Sequence, residues 1–570
     1  MPAAVIRAAP TLSIAVMIGP ILAGLAGAAL PAFGLLPALG GTSLSLEPWR
    51  DLFAEPGIGR SIALSLWIGF AATLLSYLLV VGLLAACWGT PLLRWVARLL
   101  APLLSVPHAA AALGLAFLIA PSGWIARLLS PELTGWMRPP DLLIVNDRLG
   151  LGAILGLALK EAPFLLLMAL AALPQLDAER GLRLGRSFGY GRIAAFVFIV
   201  LPPLGRQIRL PVFAVLAFAA SNVEVATILG PTTPPTLAVR LVAWLADPDL
   251  SRRFVASAGA LVQLAVVVVL IAGWAALAGF AGRLAAALCG TGRRFARDGP
   301  VRVVAASLAG LSGAAAFASL GGLVLWSLAG PWRFPDAWPA SLTTAHWTGG
   351  GAGFGAAFAA TVTIALAAAA IAIVLATLSL EAEERRGRSI AVRTLPIVYL
   401  PLIVPQVVFL FGLDVLFLVS GLPPTIATVV LAHLVFVLPY VFLALADPWR
   451  AFDRRFSQAA LSLGASPNRV FARIRLPLLA QPVLVAFAIG VAVSVGLYLP
   501  TLLIGGGRIA TVTTEAVALS ASGDRRLIGI LVVLQMAIPL AAFSIARTVP
   551  RLMFGRRAAG YAGASRGAAG

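Results

Sequence analysis

Lys160, Glu161, Glu224 and Asp414 are ionisable residues set inside long apolar stretches, and they are the first places to look for chemistry. A charge at such a depth is costly, so it pairs, caps a backbone break or lines a route for a polar solute. Lys160 and Glu161 are neighbours just ahead of Pro163, where an irregular helix exposes backbone to a cavity. Side chains of adjacent helical residues point about 100° apart, so these two need not pair with each other. Glu224 ends an apolar run shortly before Gly230-Pro231, and Asp414 stands in a separate run as a candidate partner for Lys160. All four are candidates for a translocation path, and the acidic ones would suit a cationic solute.

Other chemistries find less support. A phosphate-cradling loop of the G-x-x-x-x-G-K-[ST] type needs a lysine after its second glycine. The chain has a single lysine, Lys160, and it follows Leu159. ATP hydrolysis by that device is therefore excluded, and any ATP-driven motor must be another polypeptide. His108, His346 and His433 lie in three different regions without Cys or carboxylate spacing around them, which argues against metal. Cys87 and Cys289 fall near the inner ends of apolar runs, where disulfides are unusual. A membrane-embedded enzyme would need clustered His, Asp or Glu, and the sequence has no such cluster.

The elements that must hold these residues are membrane spans. The chain of 570 residues is 60% hydrophobic and only 11% charged. Runs of about 20 apolar residues cross a bilayer core. About twelve are readable, near 11–33, 59–86, 100–120, 149–172, 207–223, 256–282, 303–327, 356–379, 395–419, 424–446, 480–501 and 527–546. The first exceeds a signal-peptide core and is expected to stay as a span. With the N-terminus inside, about 29 basic residues fall in inner loops against about 12 outside, as the positive-inside rule requires. The net charge of +20 is thus mainly a topology signal, and a nucleic-acid reading lacks the soluble basic face it would need. The tryptophans Trp49, Trp124, Trp136, Trp332, Trp338 and Trp347 in the outer loops read as an interfacial belt.

One inner loop has an internal order of its own. Gln458–Leu479 runs from a small-residue helix (Ala459, Ala460) into Gly464-Ala465, a turn at Ser466-Pro467-Asn468, an amphipathic turn with Phe471 and Ile474, and Leu476-Pro477. It recurs about 275 residues earlier, with Gly189, Phe196, Ile199 and Leu201-Pro202 in the same register. Gly505 and Thr511 fall on Gly230 and Thr236, and Arg525 and Gln535 on Arg253 and Gln263 after a slip of about three. Val-Pro-His at 106–108 matches Val-Pro-Gln at 404–406, and Gly114 matches Gly412, with an insertion near 121–148 explaining the larger offset. The chain reads as a tandem duplication. Residues 1–290 form the first repeat with its loop at about 175–206, and 291–302 an inner linker. Residues 303–550 form the second repeat with its loop at about 448–480, and 551–570 a disordered tail.

Gln458–Leu479 resembles the cytoplasmic loop motif of binding-protein-dependent ABC importer permeases, E-A-A, three residues, Gly, and later I-x-L-P. Ala459, Ala460, Gly464, Ile474, Leu476 and Pro477 match, and Phe471 sits at the usual aromatic position. Ile228-Leu229-Gly230-Pro231 and Pro234-Pro235-Thr236-Leu237 are similar to segments of the fused, two-half permeases of the iron(III) and thiamine type, with the thiamine branch nearest. The resemblance implies an all-α, type I importer permease of two six-span repeats in a bacterial inner membrane, with both termini cytoplasmic. It implies no cofactor on this chain, ATP and Mg on a partner ATPase (a homodimer), a periplasmic substrate-binding protein, and a coupling helix in each loop that docks on the ATPase. The solute would be small, thiamine-like or an iron chelate.

The departures from the motif fall at its acidic start. Gln458 and Arg183 stand where the family has an acid, and Leu184-Gly185 replaces the paired alanines of the first copy. The flanking arginines Arg180, Arg186, Arg450, Arg454 and Arg455 are expected to meet an acidic rim on the ATPase. Two blander readings compete. The loop helices could be interfacial helices held by anionic lipid. The whole chain could be a gradient-driven carrier with a six-plus-six repeat, although that leaves the duplicated loop unexplained.

Overall fold

A computed structural model of the chain describes residues 3–349, 351–387, 391–521 and 523–567. In the first half the helices are α1 (Ala3–Ala32), α2 (Ile58–Cys87), α3 (Pro91–Ser105), α4 (His108–Ile119), α5 (Leu151–Ala172), α6 (Ala178–Ser187), α7 (Arg209–Ser221), α8 (Leu237–Leu245) and α9 (Arg252–Gly290). The second half repeats the order as α10 (Gly299–Leu328), α11 (Gly351–Arg386), α12 (Ala391–Ile403), α13 (Gln406–Val419), α14 (Ile426–Arg450), α15 (Arg454–Ser462), α16 (Ala480–Gly496), α17 (Val512–Leu519) and α18 (Arg525–Gly567). Among the described residues nine helices are long and apolar enough to cross a membrane, or up to 12 if each bent pair is one span. The twelve stretches expected from the sequence each coincide with one of these.

Backbone amides in an apolar medium must be satisfied within the chain, which makes helices the default and every break an exception to explain. The breaks fall at prolines. α3 ends before Val106-Pro107 and α12 before Val404-Pro405, because proline turns the preceding residue away from helical geometry. The chain bends by 95° across the second of these. The segments that follow the two loops bend by 69° and 74° where they enter α7 and α16.

The two halves carry corresponding hydrogen bonds. Thr236 and Thr511 both precede a helix, and the first amide of that helix binds a hydroxyl of the second span in each half. Leu237 N–H donates to Ser65 Oγ over 3.0 Å and Val512 N–H to Thr361 Oγ1 over 2.9 Å. Gln263 donates to the Ala220 carbonyl, and Gln535, equally buried, to Thr513 Oγ1.

The two halves exchange their first helices. α1 lies on α13 and α11 of the second half, while α10 lies on α4 and α2 of the first. Small residues permit the crossing. A Cβ added at Gly24 would run into the Phe409 carbonyl oxygen, and one at Gly412 into that of Gly24. Gly114, the counterpart of Gly412, faces the Ser319 carbonyl oxygen and Leu323 of α10 in the same way.

α18 is drawn on to Gly567, and residues 568–570 lie outside the described residues. One expectation needs correcting. Trp332 is no interfacial residue, being buried against Trp326 with Arg127 stacked over both rings. Loop 330–344 needs that packing because it crosses the bundle end, where Arg127 also donates to the Arg333 and Asp336 carbonyls. Part of the basic interval 385–393, residues 388–390, is likewise outside the described residues.

The close crossing yields a test. Gly412→Leu inserts a side chain between two touching backbones and should cost about 1–3 kcal/mol, read as a lower melting midpoint in detergent. Gly310→Leu on α10, whose Cβ meets nothing within 4 Å, should melt with the wild type. Equal midpoints for both variants would refute the tight crossing.

Candidate functional site

The second loop begins with α15, whose N-terminus is capped by Asp453 accepting from the Arg455 N–H. The helix stops at Gly464, which takes φ +82°, a left-handed conformation that suits glycine. Gly464 N–H donates to the Leu461 carbonyl and Ala465 N–H to that of Ala460, the paired bonds of a Schellman C-cap. Ser466 then caps a short helix through the Arg469 N–H, and Phe471–Arg475 forms one wide π turn. That turn sits directly ahead of Leu476-Pro477; proline cannot supply an α-helical amide and crowds the carbonyl four residues back. Phe471 is buried against Trp449, and Ile474 and Pro477 are half-buried. Gln458 and Ala459 are exposed, and Ala460 and Ala465 are half-buried.

The first loop follows the same plan. Gly189 has φ +80°, its N–H donates to the Arg186 carbonyl, and Tyr190 N–H donates to that of Gly185. Phe196–Val200 forms the matching π turn, again just before Leu-Pro, with Phe196 fully buried, Ile199 half-buried and Pro202 exposed. Arg183 is exposed, at the register of Gln458. Gly185, standing for the second alanine, is buried so closely on Ala195 and Ile199 that a Cβ there would lie 2.7 Å from the Ala195 Cβ.

Sequence reasoning missed the tips of both loops. Phe188 and Leu463, each one residue before the left-handed glycine, are 59% and 88% exposed. Their shared register, a large apolar residue ahead of the loop glycine, was the available signal. Arg450 and Arg454 also have partners that the sequence did not reveal. Within the chain they bind Glu383 and Glu384 of α11, each over 3.1 Å, and the Arg454 side chain stays 67% exposed.

The ionisable residues of the spans divide into two places. Lys160 donates to the Leu103 and Leu104 carbonyls over 3.2 and 3.0 Å, capping α3 where the span breaks. Glu161 accepts from or binds His108 Nε2 over 2.9 Å on the other side of the same break, and the His108 ring packs on Phe218. Glu224 is buried within electrostatic reach of Lys160, and one of its oxygens, Oε2, has no hydrogen-bond partner. Tyr440 and Tyr498 of the second half lie within reach of Glu161 and Glu224. Asp414 does not join Lys160; its electrostatic neighbour is Arg253 of α9, since α13 turns it toward that helix. His433 is buried and saturated, bound to Ser494 Oγ at 2.8 Å and Thr501 Oγ1 at 2.9 Å. Among the described residues no three His, Cys, Asp or Glu gather as a metal site would require.

Comparison with known proteins agrees with this architecture. The family model of the binding-protein-dependent transport system inner membrane component matches residues 370–559, which include the second loop. The chain is 30% identical over 509 residues to the inner membrane ABC transporter permease protein YnjC of Escherichia coli (strain K12), covering 89% of this chain and 91% of that protein. It is also 38% identical over 74 residues to the spermidine/putrescine transport system permease protein PotC of Haemophilus influenzae, 13% of this chain and 29% of that one. An inner-membrane ABC permease of this kind is a non-catalytic transport subunit, working with an ATPase and a binding protein. By its length of match, its helical build and its duplicated loop, the chain belongs to the family of binding-protein-dependent ABC transporter inner-membrane permeases.

Proposed function

We propose that the chain is the permease of an ATP-driven importer that carries a small solute handed over by a periplasmic binding protein. Its two loops dock on a separate ATPase, a homodimer, which binds ATP and Mg. The observation that carries this reading is the loop that occurs twice: helix, left-handed glycine, π turn, Leu-Pro, with an exposed apolar tip. Two matching apolar knobs on one chain suit two equal grooves on a dimeric partner. The loops and both termini then face the cytoplasm, in line with the basic residues there. The resemblance in sequence supports a thiamine-like compound or an iron chelate as the solute.

The translocation path runs between the halves, past Lys160, Glu161 and Glu224, with Tyr440 and Tyr498 of the second half in electrostatic range of the two glutamates. Within it the roles divide. Lys160 holds the broken span together, and Glu224, with an oxygen to spare, touches the solute. Asp414 lies to one side with Arg253.

Co-purification tests the docking. The tagged chain, expressed with its chromosomal neighbours and extracted in mild detergent, should bring an ATPase with it. Gly464→Pro should abolish transport at normal membrane abundance, because proline is confined to φ near −65° and cannot take the left-handed turn. Charge reversal at exposed Gln458 should be tolerated. Wild-type uptake by the Gly464→Pro chain would refute the docking role. Glu224→Gln should raise the KM for uptake about tenfold with ATPase binding intact. Lys160→Met should instead lower the amount of folded protein, by about 1–3 kcal/mol of lost capping, and leave KM alone. An unchanged KM in Glu224→Gln would remove that residue from the path.

A further inference from the structure

The two loops share a backbone plan but are fastened to the bundle by different chemistry. In the second half α11 ends in Glu381, Glu383 and Glu384, and each meets arginines of the loop region. Arg475, in the π turn, is only 5% exposed. It donates to Glu381 Oε2 over 2.6 Å and to Ser457 Oγ of α15 over 3.2 Å, and lies 3.6 Å from Glu384. Its guanidinium also packs over Phe452 and Trp449. Arg385 closes the group by binding Glu381 over 2.7 Å and Asn468 over 3.1 Å. One buried arginine therefore joins the second span, the loop helix and the π turn.

The first half fills the same places without charge. The register that sets Ser65 against Thr361 sets Ala85 against Glu381, and the register of the two loop glycines sets Val200 against Arg475. Ala85 and Val200 are buried in one apolar cluster. The first loop is braced by the linker between the halves and by Arg192, which donates to the Trp88 backbone carbonyl at the end of α2 rather than to a carboxylate. Gly191 N–H donates to the Arg294 carbonyl over 3.1 Å and Ile193 N–H to Asp298 Oδ2 over 2.7 Å. The Arg294 guanidinium sits 4.8 Å over the Tyr190 ring, and Phe295 packs on Phe198.

Replacing a buried ion pair by apolar residues of fitting volume is often neutral or stabilising. The sister half shows that apolar packing serves at this very position, so stability gives no reason for the pair. We infer that Glu381 and Arg475 are positioning residues that make α11 follow the second loop, so that the two loops transmit the ATPase cycle unequally. The second loop drives its half of the bundle through a charged latch, and the first is held by the linker. This rests on the loops being the ATPase docking elements.

The test uses the full complex of permease, ATPase and binding protein in liposomes. The double variant Glu381→Ala, Arg475→Val installs the first half's residues. It should hold the ATPase in wild-type ratio and keep basal hydrolysis. Stimulation by loaded binding protein, and uptake per ATP, should fall about fivefold or more. Wild-type stimulation in that variant would overturn the latch while leaving docking intact. Should the double variant not reach the membrane, Glu381→Gln, which keeps the shape and one hydrogen bond, decides in the same way. Loss of stimulation with the ATPase retained supports the latch, and unchanged stimulation overturns it. A wild-type chain that retains no ATPase would instead defeat the docking reading itself.

Discussion

A helix can be interrupted in an apolar medium only where something else takes over its backbone hydrogen bonds. That constraint organises this permease. Its third span is broken in each half at a Val-Pro pair, and in the first half Lys160 supplies the missing donors to Leu103 and Leu104. Glu161 and His108 then hold the far side of the break. The second half has Val435 and Phe436 at the corresponding register, side chains that cannot donate to a carbonyl. The polar residues of the second half, His433, Ser494 and Thr501, are joined in a closed set of their own. A common backbone thus carries two different polar interiors, and the proposed path lies between them.

The same division runs through the loops. Backbone features that depend on glycine, proline and a wide helical turn are kept in both copies, because without them the chain cannot reverse at the bundle end. Side chains that fasten the loop are not kept. An arginine–glutamate group holds one, and an irregular linker segment, an aromatic pair and the Arg192–Trp88 carbonyl bond hold the other. The second arrangement is possible because residues 294–298, which join the halves, pass beside the first loop.

Much of this was legible in the sequence, for physical reasons. Span number followed from the length of apolar runs, because the bilayer core sets that length. The loop glycines were legible because their role is purely backbone, and Gly464 and Gly189 do take left-handed φ. The pairing of charges was not. Arg450 and Arg454 were set only against an acidic rim on the ATPase, because their partners within the chain, Glu383 and Glu384, lie some seventy residues away on another helix. Asp414 was set against Lys160 because sequence gives depth in a span but not the face of the helix, and the face turns it to Arg253. The fate of Trp332 was hidden for the same reason: a tryptophan near a span end is interfacial or buried depending on what the loop folds over.

The exchanged first helices also set an order in time. Gly24 of α1 packs against Phe409 and Gly412, residues made almost four hundred positions later. At a synthesis rate of about 5–20 residues per second, α1 must wait about 20–80 seconds in the bilayer before that surface exists. During this interval its small-residue face is open to lipid or to any other helix that can approach as closely. Until then α9 of its own half is the long neighbour that α1 can take up.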